Sequence, residues 1–593
     1  MAEEMFSQDR TTRVIQTFVA LAFLVLVAQL FRLQVIQRDK YQAQSEKNRI
    51  RRIRIEPPRG VLYDRNGVIL VENRPSYTLS AVPAVVRKNQ HSLEFLALLM
   101  QASVADVRRA LNQAENPFIP CKLRHNIDYA TLVQLEEHKL DAPGVTYEIE
   151  SSRVYPSGLK SPHVFGYIAE VSKTELDKRR DQGMLPGDLV GKKGFEKQYD
   201  RDLRGQVGYD FIEVDALGRE VRDLVSDHEQ KAIRGKDFYL GLDARLQACA
   251  DSAFSAKHGG AVMVDTRSGE VLVLCSKPDF DPEIFTSAMS NEQWQQLIND
   301  PGKPMYDRML QSAYPPASIF KMVTAAAALE NHKVDLSTVF ACHGGVAFGS
   351  RVFHCWLLSG HGAMNLYDAL KYSCDTYFYH AGLRVGVDAW AECAGRFGIG
   401  QLTRIDLPGE EKGLLPTRAY LDRVFGKNGW TNGLMLNMSI GQGDLLTTPV
   451  QMVQYTMMLA NRGTYYPLHM VHKIYDPQTR QFYRQKFAAR SVPGISQASY
   501  DALHEGMYRV VNGAGGTGRN CYLPDVVVAG KTGSAQNPHG DSHAWFVAFA
   551  PYEKPEVAVC VIVENGGGGG AVAAPIASKL LRLYFDLQKA SPA

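Results

Sequence analysis

The chain has 593 residues, with 66 Lys and Arg against 63 Asp and Glu, a formal net charge of +3. So balanced a charge gives no footprint for a nucleic-acid partner. The length is too great for one hydrophobic core, so two or three domains are expected. Hydrophobic content, at 45%, is that of an ordinary globular protein, apart from one segment near the start.

That segment, Val14 to Phe31, is 18 residues without a charge, interrupted only by Gln16 and Gln29 among strongly polar residues. A bilayer-spanning helix needs roughly 17 to 25 residues. Arg10 and Arg13 precede it as they would a signal peptide, but Ala28-Gln29-Leu30-Phe31-Arg32 offers no small-x-small cleavage site. The segment therefore predicts an uncleaved anchor, with bounds of 14–36, behind a tail of residues 1–13. Residues 37–235 read as a polar, short-stranded spacer with turns such as Arg65-Asn66-Gly67, and without a glycosyltransferase signature.

From residue 236 the pattern changes. Phe238 to Asp243 opens a second domain, 236–593, and Ala261–Asp265 and Glu270–Leu274 predict a hairpin around Thr266-Arg267-Ser268-Gly269. Ser318 to Glu330, whose Ala, Leu and Met favour helix, predicts a helix started by Pro315 and Pro316. On it Ser318 and Lys321 share a face at i and i+3. A serine hydroxyl becomes a nucleophile when a neighbouring lysine can take its proton, and a helix start supplies free amides for an oxyanion.

Nine cysteines exclude complete internal pairing. Cys342, Cys355, His361 and Cys374 cluster in sequence as a Cys3His set suited to structural zinc. A Cys342–Cys355 disulfide and buried free thiols remain open as alternatives. Cys121, Cys249, Cys275, Cys393, Cys521 and Cys560 read as core or inert positions.

Ser373-Cys374-Asp375 comes next, then Gly513-Ala514-Gly515-Gly516-Thr517-Gly518. The latter satisfies G-x-G-x-x-G, but Arg519 to Pro524 is loop-like, and a dinucleotide site needs a helix there. Gly566 to Gly570 is likewise a loop without phosphate-binding context. Val526 to Gly530 predicts a strand leading into Lys531-Thr532-Gly533, followed by strands at Ala544–Ala550 and Glu556–Glu564 and a closing helix over Ala571–Leu587. An antiparallel sheet flanked by helices, an α+β fold, is expected.

Ser-x-x-Lys and Lys-Thr-Gly are each commonplace. The ordered triple Ser318-x-x-Lys321, Ser373-x-Asp375, Lys531-Thr532-Gly533 resembles the set of penicillin-binding proteins and serine β-lactamases. Arg59-Gly60 through Asn66-Gly67, Tyr155-Pro156 with His163, Gly191 to Glu196 with Leu203-Arg204-Gly205, and Ser439-Ile440-Gly441-Gln442-Gly443 with Thr447-Thr448-Pro449 extend the resemblance along the chain. It points to a class B penicillin-binding protein, a monofunctional peptidoglycan D,D-transpeptidase. The middle motif of that family usually ends in Asn; Asp375 resembles the penicillin-binding protein 2 group, which serves cell elongation.

The resemblance implies an N-terminal membrane helix, an elongated pedestal and a β-lactamase-like transpeptidase domain held outside the inner membrane. This runs against a literal count of basic residues, because Arg32, Arg38, Lys40, Arg49, Arg51, Arg52 and Arg54 follow the anchor. That rule weakens for long translocated domains. Ser318 is then the acylated residue, Lys321 its base, Ser373 a proton relay to the leaving amine and Asp375 a partner for Lys321 or Lys531. Lys531 can stay charged and hold a substrate carboxylate, helped by Thr532, with Gly533 and Ser534 lining the same strand. The backbone amides of Ser318 and Ser534 form the oxyanion hole. Serine D-Ala-D-Ala transpeptidase or carboxypeptidase activity, β-lactam binding and a structural zinc beside the middle motif follow from the same likeness. The implied partners are stem peptides, a membrane glycosyltransferase of the shape, elongation, division and sporulation family, and elongation scaffold proteins. The competing readings are a division-specific transpeptidase and a β-lactam sensor.

Overall fold

The structure is a computed structural model describing residues 2–41, 50–114, 117–118, 120, 121–179, 183–214, 220–224, 230–254, 256–286, 289–427 and 429–590. Arg49 of the basic cluster lies outside the described residues. The chain forms two compact units, residues 1–58 with 205–234, and residues 59–204 with 235–593.

In the first unit a helix runs from Ala2 to Phe31 and ends in a π-helical turn at Arg32–Ile36. Within it the 25 residues Thr12–Ile36 have a mean hydropathy of 2.4, long and apolar enough to cross a membrane. Val14, Ile15, Phe23 and Leu24 point to four different sides of a helix with 3.6 residues per turn and are all exposed, so apolar surface surrounds the helix rather than forming one stripe. A helix apolar all round needs a protein core or a bilayer about it. The unit also holds a three-stranded antiparallel sheet of Ile50–Ile55, Gly208–Val214 and Glu220–Leu224.

The second unit carries a seven-stranded sheet in which Asp237–Leu240 pairs in parallel with Leu62–Tyr63 and antiparallel with Val471–Asp476. Its long strand, Ile69–Ala81, pairs with Cys121–Ile127 and Val145–Val154. Beside it lies a buried charge network. Glu196, fully buried, accepts from Arg59 Nε at 2.7 Å and Arg153 Nε at 2.8 Å. Asp200 accepts from Arg59 at 2.7 Å and Arg179 at 2.9 Å. The segments around Arg59, Arg153 and Gly191–Glu196 thus meet at one carboxylate. Charges this deep survive only because each has partners.

The other sheet is five-stranded and antiparallel, in the order Val271–Lys277, Gly259–Asp265, Val557–Val563, His543–Ala550, Ala529–Ala535. Antiparallel strands commonly alternate apolar and polar because one face meets water. These do not: Val557–Val563 and most of His543–Ala550 are buried at every position. Alternate residues enter two different cores. Ala544, Phe546, Ala548, Val559 and Val561 pack with Leu580 and Leu581 of the closing helix Gly569–Ala590, and with Leu246 of Ala244–Ala253. Trp545, Val547, Phe549, Cys560 and Ile562 pack with Met322, Val323, Val453 and Met457 on the opposite side. The sheet is therefore the middle of a three-layer stack, and both layers fix the strand that carries Lys531. The expected hairpin forms as Gly259–Asp265 and Val271–Lys277. The strand expected over Val526–Gly530 instead runs Ala529–Ala535, so Lys531 lies within it.

Candidate active site

Ser318 sits in a short 3₁₀ turn, Ala317–Phe320, that runs directly into the α-helix Lys321–Glu330. Lys321 closes this turn by donating its main-chain N–H to Ser318 O, which keeps the two residues on one face. Pro315 and Pro316 precede the turn as expected. Ala317 has φ +53°, in the region that favours glycine, and its amide donates to Gly441 O at 2.8 Å. A Cβ on Gly441 would lie 2.2 Å from Ala317 O, so only glycine fits there. The Ser439–Gly443 segment is thus the clamp that holds the strained entry to Ser318.

Ser373 is a second strained residue, at φ +55° and buried. Local strain of this kind costs about 1–3 kcal/mol and persists where surroundings over-determine it. Those surroundings are the two lysines. Lys321 Nζ donates to Ser373 O at 2.8 Å, Ser373 Oγ at 3.2 Å and Asp375 Oδ1 at 2.8 Å. An ammonium has three donors, so all are committed. Lys531 Nζ lies 2.9 Å from Ser373 Oγ and donates to Thr532 O at 2.9 Å. Ser373 Oγ therefore stands between two fully buried lysines brought from positions 321 and 531. The three motifs converge on one hydroxyl.

Asp375 opens the helix Asp375–Val385, where a carboxylate favours the helix dipole. Its Oδ2 accepts the Trp356 N–H at 2.9 Å, and the Trp356 indole donates to Tyr372 O at 3.0 Å. The two carboxylate oxygens so join Lys321 to the cysteine-bearing loop. The preference for Lys321 follows from this pairing; Lys531 has no carboxylate at hydrogen-bond distance among the described residues. Burial, then the like charge of Lys321, pushes the Lys531 ammonium well below the ordinary lysine range. A nearby anion favours the charged form of such a lysine, which suits the expected role of Lys531 at a substrate carboxylate.

Cys342, Cys355, His361 and Cys374 come together, with ligand atoms all within 4.8 Å of one another. His361 Nδ1 is 3.5 Å from both Cys342 Sγ and Cys355 Sγ. The hydrogen bond from Cys374 holds the Cys355 thiol below the ordinary thiol range. All nine cysteines are free; Cys121 and Cys249 are only half-buried, unlike the buried Cys275, Cys393, Cys521 and Cys560. The Cys3His set is therefore a candidate metal centre one residue from Ser373.

Thr532 is buried, and its hydroxyl donates to Thr517 Oγ1 at 2.9 Å. Ser534 accepts the Gly569 N–H at 3.3 Å, and a Cβ on Gly569 would lie 2.3 Å from Gly533 O. Both glycine-rich segments set aside as nucleotide loops pack against the Lys531–Ser534 strand instead. Trp356 and Thr517 were not singled out in the sequence. A threonine between glycines was the visible signal for the second; nothing marked the first, since its contact is made by the main chain.

Residues 259–582 match the penicillin binding protein transpeptidase domain, and residues 54–240 the penicillin-binding protein dimerisation domain. Peptidoglycan D,D-transpeptidase MrdA of Acinetobacter baumannii is 33% identical over 97% of this chain and 87% of its own length. MrdA of Escherichia coli K12 is 32% identical over 95% of this chain and 91% of its own. Among solved structures, penicillin-binding protein 2 of Helicobacter pylori in complex with MreC aligns with a TM-score of 0.79 and 29% identity, covering 91% of this chain and 99% of that one. A peptidoglycan synthase complex that coordinates polymerisation and crosslinking contributes a chain with a TM-score of 0.71, 29% identity and coverage of 97% and 98%. With its transpeptidase and dimerisation domains both matched and its motifs gathered in one site, the chain belongs to the penicillin-binding protein transpeptidase family, in the class B, penicillin-binding protein 2 type.

Proposed function

We propose that this protein is a peptidoglycan D,D-transpeptidase that cross-links stem peptides during cell-wall elongation and shape maintenance through an acyl-enzyme on Ser318. The observation that carries the reading is Ser373 Oγ, held at 3.2 Å by Lys321 and 2.9 Å by Lys531. Ser318 Oγ attacks the carbonyl carbon of the penultimate D-Ala while its proton passes to neutral Lys321. Lys321 returns the proton through Ser373 Oγ to the leaving amine, so terminal D-Ala departs and an ester remains on Ser318. An acceptor amine then attacks that ester by the reverse path; water in its place gives carboxypeptidase activity. The substrate carboxylate is the counter-charge that Lys531 lacks. Its arrival favours the ammonium form of Lys531, and a proton moved from Lys321 through the shared Ser373 hydroxyl leaves Lys321 neutral as the base. Thr532 adds a hydrogen bond to the carboxylate. The backbone N–H groups of Ser318 and Ser534 stabilise the oxyanion.

Cys342, Cys355, His361 and Cys374 fit a structural zinc ion. Tetrahedral zinc, with Zn–S of about 2.3 Å and Zn–N of about 2.0–2.1 Å, separates S and N ligands by about 3.6 Å. Two such separations here are 3.5 Å. Zinc bound there would fix the Ser373 loop; every proton transfer above belongs to the protein's own groups.

The span Thr12–Ile36 anchors the chain in the inner membrane with its N-terminus in the cytoplasm and the transpeptidase domain, 236–593, in the periplasm on a pedestal of residues 37–235. Its partners are a membrane glycosyltransferase and elongation scaffold proteins; the Helicobacter pylori relative is solved in complex with MreC; β-lactams acylate the same serine. Intact mass after labelled penicillin, then peptide mapping, places the adduct on Ser318. Label on another serine, or equal labelling of Ser318→Ala, refutes the assignment.

A further inference from the structure

Thr517 lies in the segment Gly513–Gly518, which satisfies G-x-G-x-x-G without the helix a dinucleotide site needs and packs against the Lys531–Ser534 strand. Its hydroxyl oxygen accepts from Thr532 Oγ1 at 2.9 Å. Its own hydroxyl and main-chain N–H both point to Lys371 O, each at 3.4 Å. Lys371 is two residues ahead of Ser373, and Thr532 follows Lys531. Thr517 is thus the side chain that joins the middle-motif segment to the Lys-Thr-Gly strand from behind.

The neighbouring glycines make that placement possible. A Cβ on Gly516 would lie 2.3 Å from Val510 O, and one on Gly518 would lie 3.0 Å from Val510 Cγ1 and 3.2 Å from Phe546. A Cβ on Gly570 would lie 2.3 Å from Thr517 O. The main chain on both sides of Thr517 is pressed against neighbours that admit no side chain. The run of glycines thereby seats one threonine.

We infer that Thr517 is a positioning residue that aims the Thr532 hydroxyl at the substrate carboxylate by reversing the direction of the hydrogen bond between them. A hydroxyl has one proton and two lone pairs. At rest, Thr532 spends its proton on Thr517, and Thr517 spends its own on the long contact to Lys371 O. When a carboxylate arrives, Thr532 turns its proton to it. Thr517 then donates to the vacated Thr532 oxygen, exchanging a 3.4 Å contact for one at 2.9 Å. Donors in series polarise one another, so the bond to the anion is strengthened beyond what an isolated hydroxyl supplies. No bond other than hydrogen bonds changes, and each proton stays on its own oxygen.

The inference rests on the proposed role of Thr532 at the carboxylate, and the test separates the two. Full-length protein in detergent is assayed for the acylation rate constant with a penicillin and with its carboxyl methyl ester, in the wild type, Thr517→Val, Thr517→Ser and Thr532→Val. Valine keeps the shape of threonine without its hydroxyl; serine keeps the hydroxyl. Thr517→Val is expected to slow the acid by about 5- to 10-fold, the worth of one hydrogen bond, to leave the ester rate within twofold, and to be rescued by Thr517→Ser. Equal slowing of acid and ester by Thr517→Val, or slowing of neither, overturns the inference. If Thr532→Val discriminates acid from ester while Thr517→Val does not, this inference alone falls. If Thr532→Val fails to discriminate, the carboxylate role of Thr532 falls and takes this inference with it. Thr517→Ser guards against misfolding: should Thr517→Val not fold, a serine variant with an altered acid-to-ester ratio also overturns the proposal.

Discussion

Lys531→Met should make the protein more stable and nearly inactive. Lys531 is fully buried, and its Nζ meets Ser373 Oγ and Thr532 O, with the like charge of Lys321 nearby. Methionine fills similar volume without desolvating an amine. It forfeits two hydrogen bonds, about 1 kcal/mol each. The sign of the remainder comes from linkage. The folded pKa of Lys531 lies well below the ordinary 10.5, so across that window the unfolded chain binds a proton that the native state does not. Wild-type stability must then rise with pH from the depressed value up to 10.5, by about 1.4 kcal/mol per pH unit. The methionine variant lacks this dependence. Its advantage is largest at low pH and narrows as pH rises. Thermal unfolding of both proteins in detergent from pH 6.5 to 9 reads the difference, since groups common to both cancel. Acylation by penicillin, measured in parallel, should fall by about 10²–10³-fold, the usual loss when a contact made in the transition state is deleted. A variant less stable than wild type throughout, or a stability difference flat in pH, would refute the account of Lys531 as a lysine awaiting its counter-charge.

Glu196→Gln should destabilise the pedestal by about 3–5 kcal/mol, because two buried guanidiniums lose the carboxylate between them. Thermal unfolding checks it, and protein that remains folded should acylate at an ordinary rate because Glu196 is no part of the site. Elemental analysis of freshly purified protein should find one zinc per chain. Its removal by chelator should lower the unfolding temperature and the acylation rate together; less than about half an equivalent of metal, or a Cys342–Cys355 disulfide by mass spectrometry, would contradict the zinc assignment.

Local pattern made much of this protein legible. The prolines before Ser318, its i+3 lysine and the apolar strands around Lys531 are signals carried by neighbouring residues, and each element formed where the pattern placed it, within a few residues. The cysteines and His361 were legible by chemistry, because soft ligands are scarce enough that four within a short stretch stand out. What stayed hidden depends on contacts between distant segments. The Val526–Val528 run reads as strand, yet the ladder to His543–Ala550 begins only at Ala529. The positive φ of Ala317 and Ser373 leaves no trace in residue type, since alanine and serine are common anywhere. The downward push on the Lys531 ammonium leaves no trace in the local sequence, because it comes from burial and then from Lys321, 210 positions away in the chain. Trp356 reaches Asp375 through its main chain, which no sequence pattern encodes. The contacts of the Gly513–Gly518 loop with Thr532 and Lys371 join segments far apart in the chain, which no local pattern encodes.

The most direct test of the central claim is turnover. Purified full-length protein is given a stem peptide ending in D-Ala-D-Ala, with and without an acceptor peptide carrying a free amine, beside Ser318→Ala. Release of one D-Ala for each cross-link formed, through a Ser318 ester trapped by acid quench and absent from Ser318→Ala, is the predicted result. D-Ala release that persists in Ser318→Ala, or a Ser318 ester that forms with penicillin but never with the peptide, would contradict it.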